Sequence, residues 1–123
     1  MSLLLDTHVF LWWRLNDPRI TGARDVIAAA SEVFVSIASA WEASIKVGLG
    51  KLTLEERFED MVAASRFSAL PIGFAHAHRV AALPQHHKDP FDRMLAAQAL
   101  EDGLTLVTHD RRLALYGARV QMI

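Results

Sequence analysis

Four carboxylates stand where chemistry could be done: Asp6, Glu42, Asp92 and Asp110. Asp6 follows the aliphatic run Leu3-Leu4-Leu5, and Asp110 follows Leu106-Val107-Thr108-His109. Glu42 and Asp92 lie in segments of helical pattern. Gathered in one cleft, such groups repel one another, and some must take up protons unless a cation sits among them. Carboxylate oxygens suit a hard divalent ion, Mg²⁺ or alternatively Mn²⁺. One or two ions of this kind lower the pKa of a bound water and stabilise the charge on a phosphodiester under in-line attack. The residue types therefore point to phosphodiester hydrolysis.

Each acid also has a plain structural alternative. Asp6 and Asp110 can cap the helices that follow them. Glu42 stands four residues before Lys46, the favourable order for a surface ion pair. Asp92 falls in the first turn of a helix, where acids stabilise the helix dipole. Their convergence on one edge of a sheet is what raises the chemical alternative above four unrelated caps and pairs.

The elements that would bring them together alternate short apolar runs with helical stretches. Strands are expected at residues 2–5, 33–36, 69–72, 104–108 and 119–122, and helices at 7–15, 21–30, 38–47, 53–67, 74–83 and 90–101. A short helix is expected at 111–116 and a polar loop at 84–88. Thr53 and Glu56 have the spacing of a capping box, which would start the 53–67 helix. Asp89 is the N-cap candidate of the 90–101 helix, with Pro90 at its first position and Gly103 at its stop. Strands separated by helices imply right-handed crossovers and a parallel sheet covered on both faces. Ligands bind such sheets outside the carboxyl ends of the strands, where Asp6 and Asp110 fall.

Composition sets the bounds. The chain of 123 residues, 52% hydrophobic, suits a single domain, 1–123, with a substantial core. No apolar window reaches the roughly 18 residues of a membrane span, and Asp6 breaks the first apolar run too early for a signal peptide. Cysteine is absent, which rules out disulfides and thiol nucleophiles and fits a reducing cytoplasm, the expected location. A net charge of −1 does not announce a nucleic-acid binder, so any such ligand must be held by local basic groups or through metal.

The motifs themselves resemble those of the PIN domain family. They are Leu3-Leu4-Leu5-Asp6-Thr7-His8; Ser39-Ala40-Trp41-Glu42-Ala43-Ser44-Ile45-Lys46 followed by Gly50-Lys51-Leu52; His87-Lys88-Asp89-Pro90-Phe91-Asp92-Arg93; and Leu106-Val107-Thr108-His109-Asp110. They run through nearly the whole chain in the family's order, and the compact form is similar to VapC-type toxins of bacterial toxin–antitoxin pairs. The resemblance implies an α/β/α sandwich around a parallel sheet of about five short strands. It implies an RNA substrate, a cognate antitoxin that blocks the site, and a homodimer. It maps the four metal positions onto Asp6, Glu42, Asp92 and Asp110, with Thr108 in a supporting place. Asp89 is read as a cap that can also orient Asp92 or a bound water, and which of these two acids lies closer to metal stays open.

Lys46, Lys51, Arg93 and Arg111 flank the motifs and are the candidates for holding an RNA backbone; Lys46 and Arg93 can equally be ion-pair partners. His86 and His87 are read as part of a solvated loop, His8 as a packing residue, and Trp12, Trp13 and Trp41 as core or interface. His76 and His78, two apart in a helix, point in different directions. The reading is thus a Mg²⁺-dependent endoribonuclease acting as a toxin. One rival is a non-catalytic module whose acidic cleft docks a basic partner. Another is a phosphoryl hydrolase with Asp6 as nucleophile, weakened by the lack of a second Asp close behind it.

Overall fold

A computed structural model describes residues 1–123. Strands β1 (Ser2–Leu5), β2 (Glu32–Ser36), β3 (Ser68–Leu70), β4 (Thr105–Thr108) and β5 (Val120–Met122) form one sheet in the order β3-β2-β1-β4-β5. Every pairing is parallel. The helices are α1 (Thr7–Arg14), α2 (Arg24–Ala29), α3 (Ile37–Gly48), α4 (Phe58–Ala64), α5 (Phe74–Ala82) and α6 (Pro90–Asp102). Short 3₁₀ helices occupy Pro18–Ala23 and Arg111–Tyr116.

The unalternating run Leu3-Leu4-Leu5 forms the central strand because both faces of the sheet are covered; all three side chains are fully buried. Leu3 and Leu5 join one core with Val9, Phe10, Ile20 and Met61. Leu4 joins the other with Leu95, Leu106 and Leu113. Each such burial stabilises the fold by about 1.5–3 kcal/mol. The result is the expected α/β/α sandwich.

Strand β1 pairs with β2 on one side and β4 on the other, so the order in which strands are added to the sheet reverses at the β1–β4 boundary. Helix α6 brings its N-terminus to that carboxyl edge because its C-terminus must feed β4 from the opposite edge. Asp89 caps it, accepting from Phe91 N at 2.8 Å and Asp92 N at 3.1 Å. Gly103 ends it at φ +65°, a left-handed conformation that suits glycine.

Three elements differ from the sequence reading. The helix expected over 53–67 spans only Phe58–Ala64, and the Thr53–Glu56 capping box does not form. Leu52 and Leu54 pack against the first core at alternate positions, which requires extended chain. Glu56 instead pairs with Arg14 at 2.9 Å. Thr21 caps nothing: its hydroxyl donates to Pro18 O inside a 3₁₀ turn, and the regular helix starts at Arg24. The strand read over 69–72 is Ser68–Leu70 and ends before Pro71, which has no N–H for the ladder.

Candidate metal centre

Asp6 follows β1 directly, with its backbone N–H tied to Val107 O at 3.0 Å. One carboxylate oxygen caps α1 by accepting from Val9 N at 2.8 Å. The other accepts from the Thr108 hydroxyl at the end of β4. Capping and site geometry are thus compatible in one side chain. Burial raises the Asp6 pKa, opposed by the hydrogen bonds from Thr108 and Val9 and by the charges of His8 and His109.

Thr108 Oγ1 also accepts from Asp110 N at 3.0 Å, so one hydroxyl links the first and last acids. Asp110 caps the following 3₁₀ turn and is gripped by Arg112, whose Nη2 lies 2.9 Å from Oδ2. That guanidinium, with further bonds from Arg112 N and His87, holds the Asp110 pKa well below the usual carboxylate range. Glu42 projects from α3, is buried, and pairs through Oε2 with Lys46 Nζ at 3.1 Å. Its Oε1 is buried without any hydrogen-bond partner.

Asp92 lies in the first turn of α6. Its pKa is pushed up to about 7, first by desolvation and then by the charges of Asp89, Asp6, Glu42 and Asp110. That ordering is itself structural information: the acids on α3, α6 and the two central strand ends feel one another at one locus. Asp89 spends its carboxylate on the α6 N-cap and acts on the site through charge.

His87 is the member the sequence reading missed. It lies buried rather than in a solvated loop, with Nε2 2.9 Å from Asp110 Oδ2 and 3.0 Å from Asp92 Oδ2. The ligating atoms of these three residues all fall within 4.8 Å of one another. The signal available in sequence was its place two residues before the α6 cap, a distance short enough to fold back on that turn.

Arg93 is a correction. The sequence offers it as an RNA contact or an ion-pair partner, but the side chain is buried, and its guanidinium donates to Pro84 O at 2.9 Å, Val80 O at 3.1 Å and the Tyr116 hydroxyl at 3.3 Å. The last turn of α5 and the segment after it present carbonyls to a multidentate donor, and Arg93 of α6 supplies it. Lys46 is engaged by Glu42, while Lys51 and Arg111 are exposed. Lys51 lies past the end of α3, which itself reaches about 9 Å beyond Glu42. Trp41, read as core or interface, is 61% exposed and packs on Phe91. His8 is exposed and stacks with His109 and Trp12 on the rim beside Asp6.

The donor set fits a hard divalent cation. A buried carboxylate oxygen without a partner, and a carboxyl pushed toward neutral pH by desolvation and then by its acidic neighbours, are what a bound cation would relieve. All-oxygen ligation suits Mg²⁺ or Mn²⁺ rather than a thiolate-bound metal.

This fold and this cluster of acids define a class: the chain belongs to the PIN domain family, whose model matches residues 3–118. Among particular relatives, it is 33% identical over 122 residues to Ribonuclease VapC22 of Mycobacterium tuberculosis, covering 91% of this chain and 89% of that protein. Among solved structures, it is similar to VapBC2 from Rickettsia felis bound to a promoter DNA fragment, with TM-score 0.75 at 14% identity over 100% of this chain and 99% of that one. DNA-bound VapBC from Salmonella typhimurium superposes with TM-score 0.73 at 23% identity, over 99% of this chain and 98% of that one. These structural likenesses extend the fold match through the whole chain.

Proposed function

We propose that this chain is the toxin ribonuclease of a toxin–antitoxin pair and that it hydrolyses RNA phosphodiester bonds with Mg²⁺, or Mn²⁺ in its place. The observation that carries the proposal is the convergence of Asp6, Glu42, Asp92 and Asp110 on one sheet edge with unmet negative charge. The relationship to Ribonuclease VapC22 supplies the reaction class.

When bound, the cation supplies an activated water and charge stabilisation at the phosphorus. The chain's own residues do the rest. Asp6, Glu42, Asp92 and Asp110 hold the ion, directly or through water. Thr108 fixes the Asp6 carboxylate, and Asp89 fixes the first turn of α6. Lys51 and Arg111 remain available to the RNA backbone; Lys46 becomes so only as far as Glu42 turns to metal. Single-stranded or looped RNA suits this narrow edge better than a duplex. The partner is an antitoxin protein that covers the cleft; a toxin–antitoxin complex from Klebsiella pneumoniae is among the structures that share this fold.

The test is RNA cleavage by the purified, antitoxin-free chain with Mg²⁺, with Mn²⁺ and with EDTA, beside Asp6→Asn. Cleavage that needs both metal and Asp6 is expected. Equal cleavage by folded Asp6→Asn would overturn the proposal.

A further inference from the structure

The His87 ring makes three polar contacts while buried. On one side, Asp89 N–H points at Nδ1 at 3.2 Å. A backbone N–H can only donate, so Nδ1 accepts and the ring proton sits on Nε2. On the other side, Nε2 lies 2.9 Å from Asp110 Oδ2 and 3.0 Å from Asp92 Oδ2. Nε2 is therefore a donor set between two carboxylates that arrive from different elements, α6 and the end of β4. A nitrogen that carries a proton has no lone pair for a metal.

The loop is anchored as a site component would be. Tyr116 Oη donates to His87 O at 3.4 Å. Arg93 binds that same hydroxyl and the carbonyls of Val80 and Pro84 at the loop's start. The buried Arg93 and Tyr116 thus fix the backbone that presents the ring.

We propose that His87 is a positioning residue for the metal centre: its Nε2–H holds the Asp92 and Asp110 carboxylates in register while the acids, not the imidazole, take the ion. This rests on the metal-dependent reading above and assigns His87 a role distinct from that of a ligand. Partners of this kind behind metal ligands typically contribute about 10–100-fold to metal affinity or activity.

The experiment uses the full chain at pH 7.5 and Mn²⁺ or Mg²⁺ alone as probe. Mn²⁺ affinity is measured for wild type, His87→Ala and His87→Gln; Gln keeps an N–H donor of similar reach. In parallel, long-range ¹H–¹⁵N spectra of the wild-type imidazole are recorded before and after Mg²⁺. A drop of about 10–100-fold in Mn²⁺ affinity for His87→Ala, partly recovered by His87→Gln, is expected. The spectra should show the Nε2–H tautomer both without and with metal. A proton that moves to Nδ1 on metal addition would make His87 a ligand and overturn the proposal, even if His87→Ala does not fold. Unchanged affinity in folded His87→Ala would overturn it too, and would leave the metal centre standing. Absence of Mn²⁺ binding by wild type would instead bring down the metal centre itself, and this proposal with it.

Discussion

Two histidines near opposite ends of α6 are wired alike and used differently. His76 Nδ1 accepts from Gly73 N at 3.0 Å, and its Nε2 meets Asp102 Oδ2 at 2.9 Å. His87 Nδ1 accepts from Asp89 N, and its Nε2 meets Asp110 Oδ2. In both, a backbone N–H sets the tautomer and a carboxylate takes the other side of the ring. The difference lies beyond the pair. Asp102 closes the C-terminal end of α6 against α5, where Arg79 and Glu101 form a balancing pair at 2.7 Å. Asp110 opens onto Asp92, Asp6 and Glu42, a crowd of acids in which Lys46 and Arg112 each engage only one member and Glu42 Oε1 has no partner. A histidine–aspartate contact is thus a clasp between helices at one end of α6, and part of the proposed metal centre where the acids gather at the other.

The largest effect that could break this contrast is on cleavage. Asp110→Asn should lower kcat by about 10²–10³-fold, the range for removing one preorganised charge, while Asp102→Asn stays within about twofold. Equal losses in steady-state RNA cleavage would erase the distinction.

Next is the pH dependence of stability without metal. The folded state holds a proton on Asp92 with a pKa of about 7, against an ordinary aspartate value of 3.8. Between these values the folded chain binds more protons than the unfolded one, so stability falls as pH rises through the window. The loss is on the order of 2–4 kcal/mol and is complete above about pH 7. Asp92→Asn should flatten the slope, and Mg²⁺ should raise Tm more at pH 8 than at pH 5. Thermal unfolding in EDTA and in Mg²⁺ reads both.

Arginines at the two ends give the third test. Arg93→Met leaves buried carbonyls unpaired and should cost about 2–3 kcal/mol in urea unfolding, together with lost activity. Arg79→Met removes a partly exposed pair and should cost less than about 1 kcal/mol, with activity unchanged. The smallest effect falls on Gly103→Ala. Nothing crowds the added methyl, but φ +65° strains it by about 1 kcal/mol, visible in Tm and not in cleavage.

The parts legible in sequence were those set by local rules. The run Leu3-Leu4-Leu5 announced a doubly covered strand, and Asp89-Pro90 with Gly103 framed α6 almost to the residue. Asp6, Asp92 and Asp110 stood out as candidates because each sits at an element boundary, whereas Glu42 lies mid-α3 and stood out only through the motif around it. What was not legible depended on contacts between distant segments. Leu52 and Leu54 override a plausible capping box by reaching into the core. Arg93 reads as a surface cation until the carbonyls of Val80, Leu83 and Pro84 are found around it. His87 reads as loop because nothing near it in sequence shows that Asp110 waits on the other side of its ring.

The hydroxyl–carboxylate contact between Thr108 and Asp6 spans 102 positions of the chain. On the ribosome, Asp6 is made about a hundred residues before Thr108 and Asp110. At about 5–20 residues per second, several seconds separate the two halves of the site. A growing chain therefore carries no assembled centre, since β4 must first be made and slotted beside β1. The acids of the two strand ends meet only after β4 is made, and a partner made earlier has that interval in which to be ready.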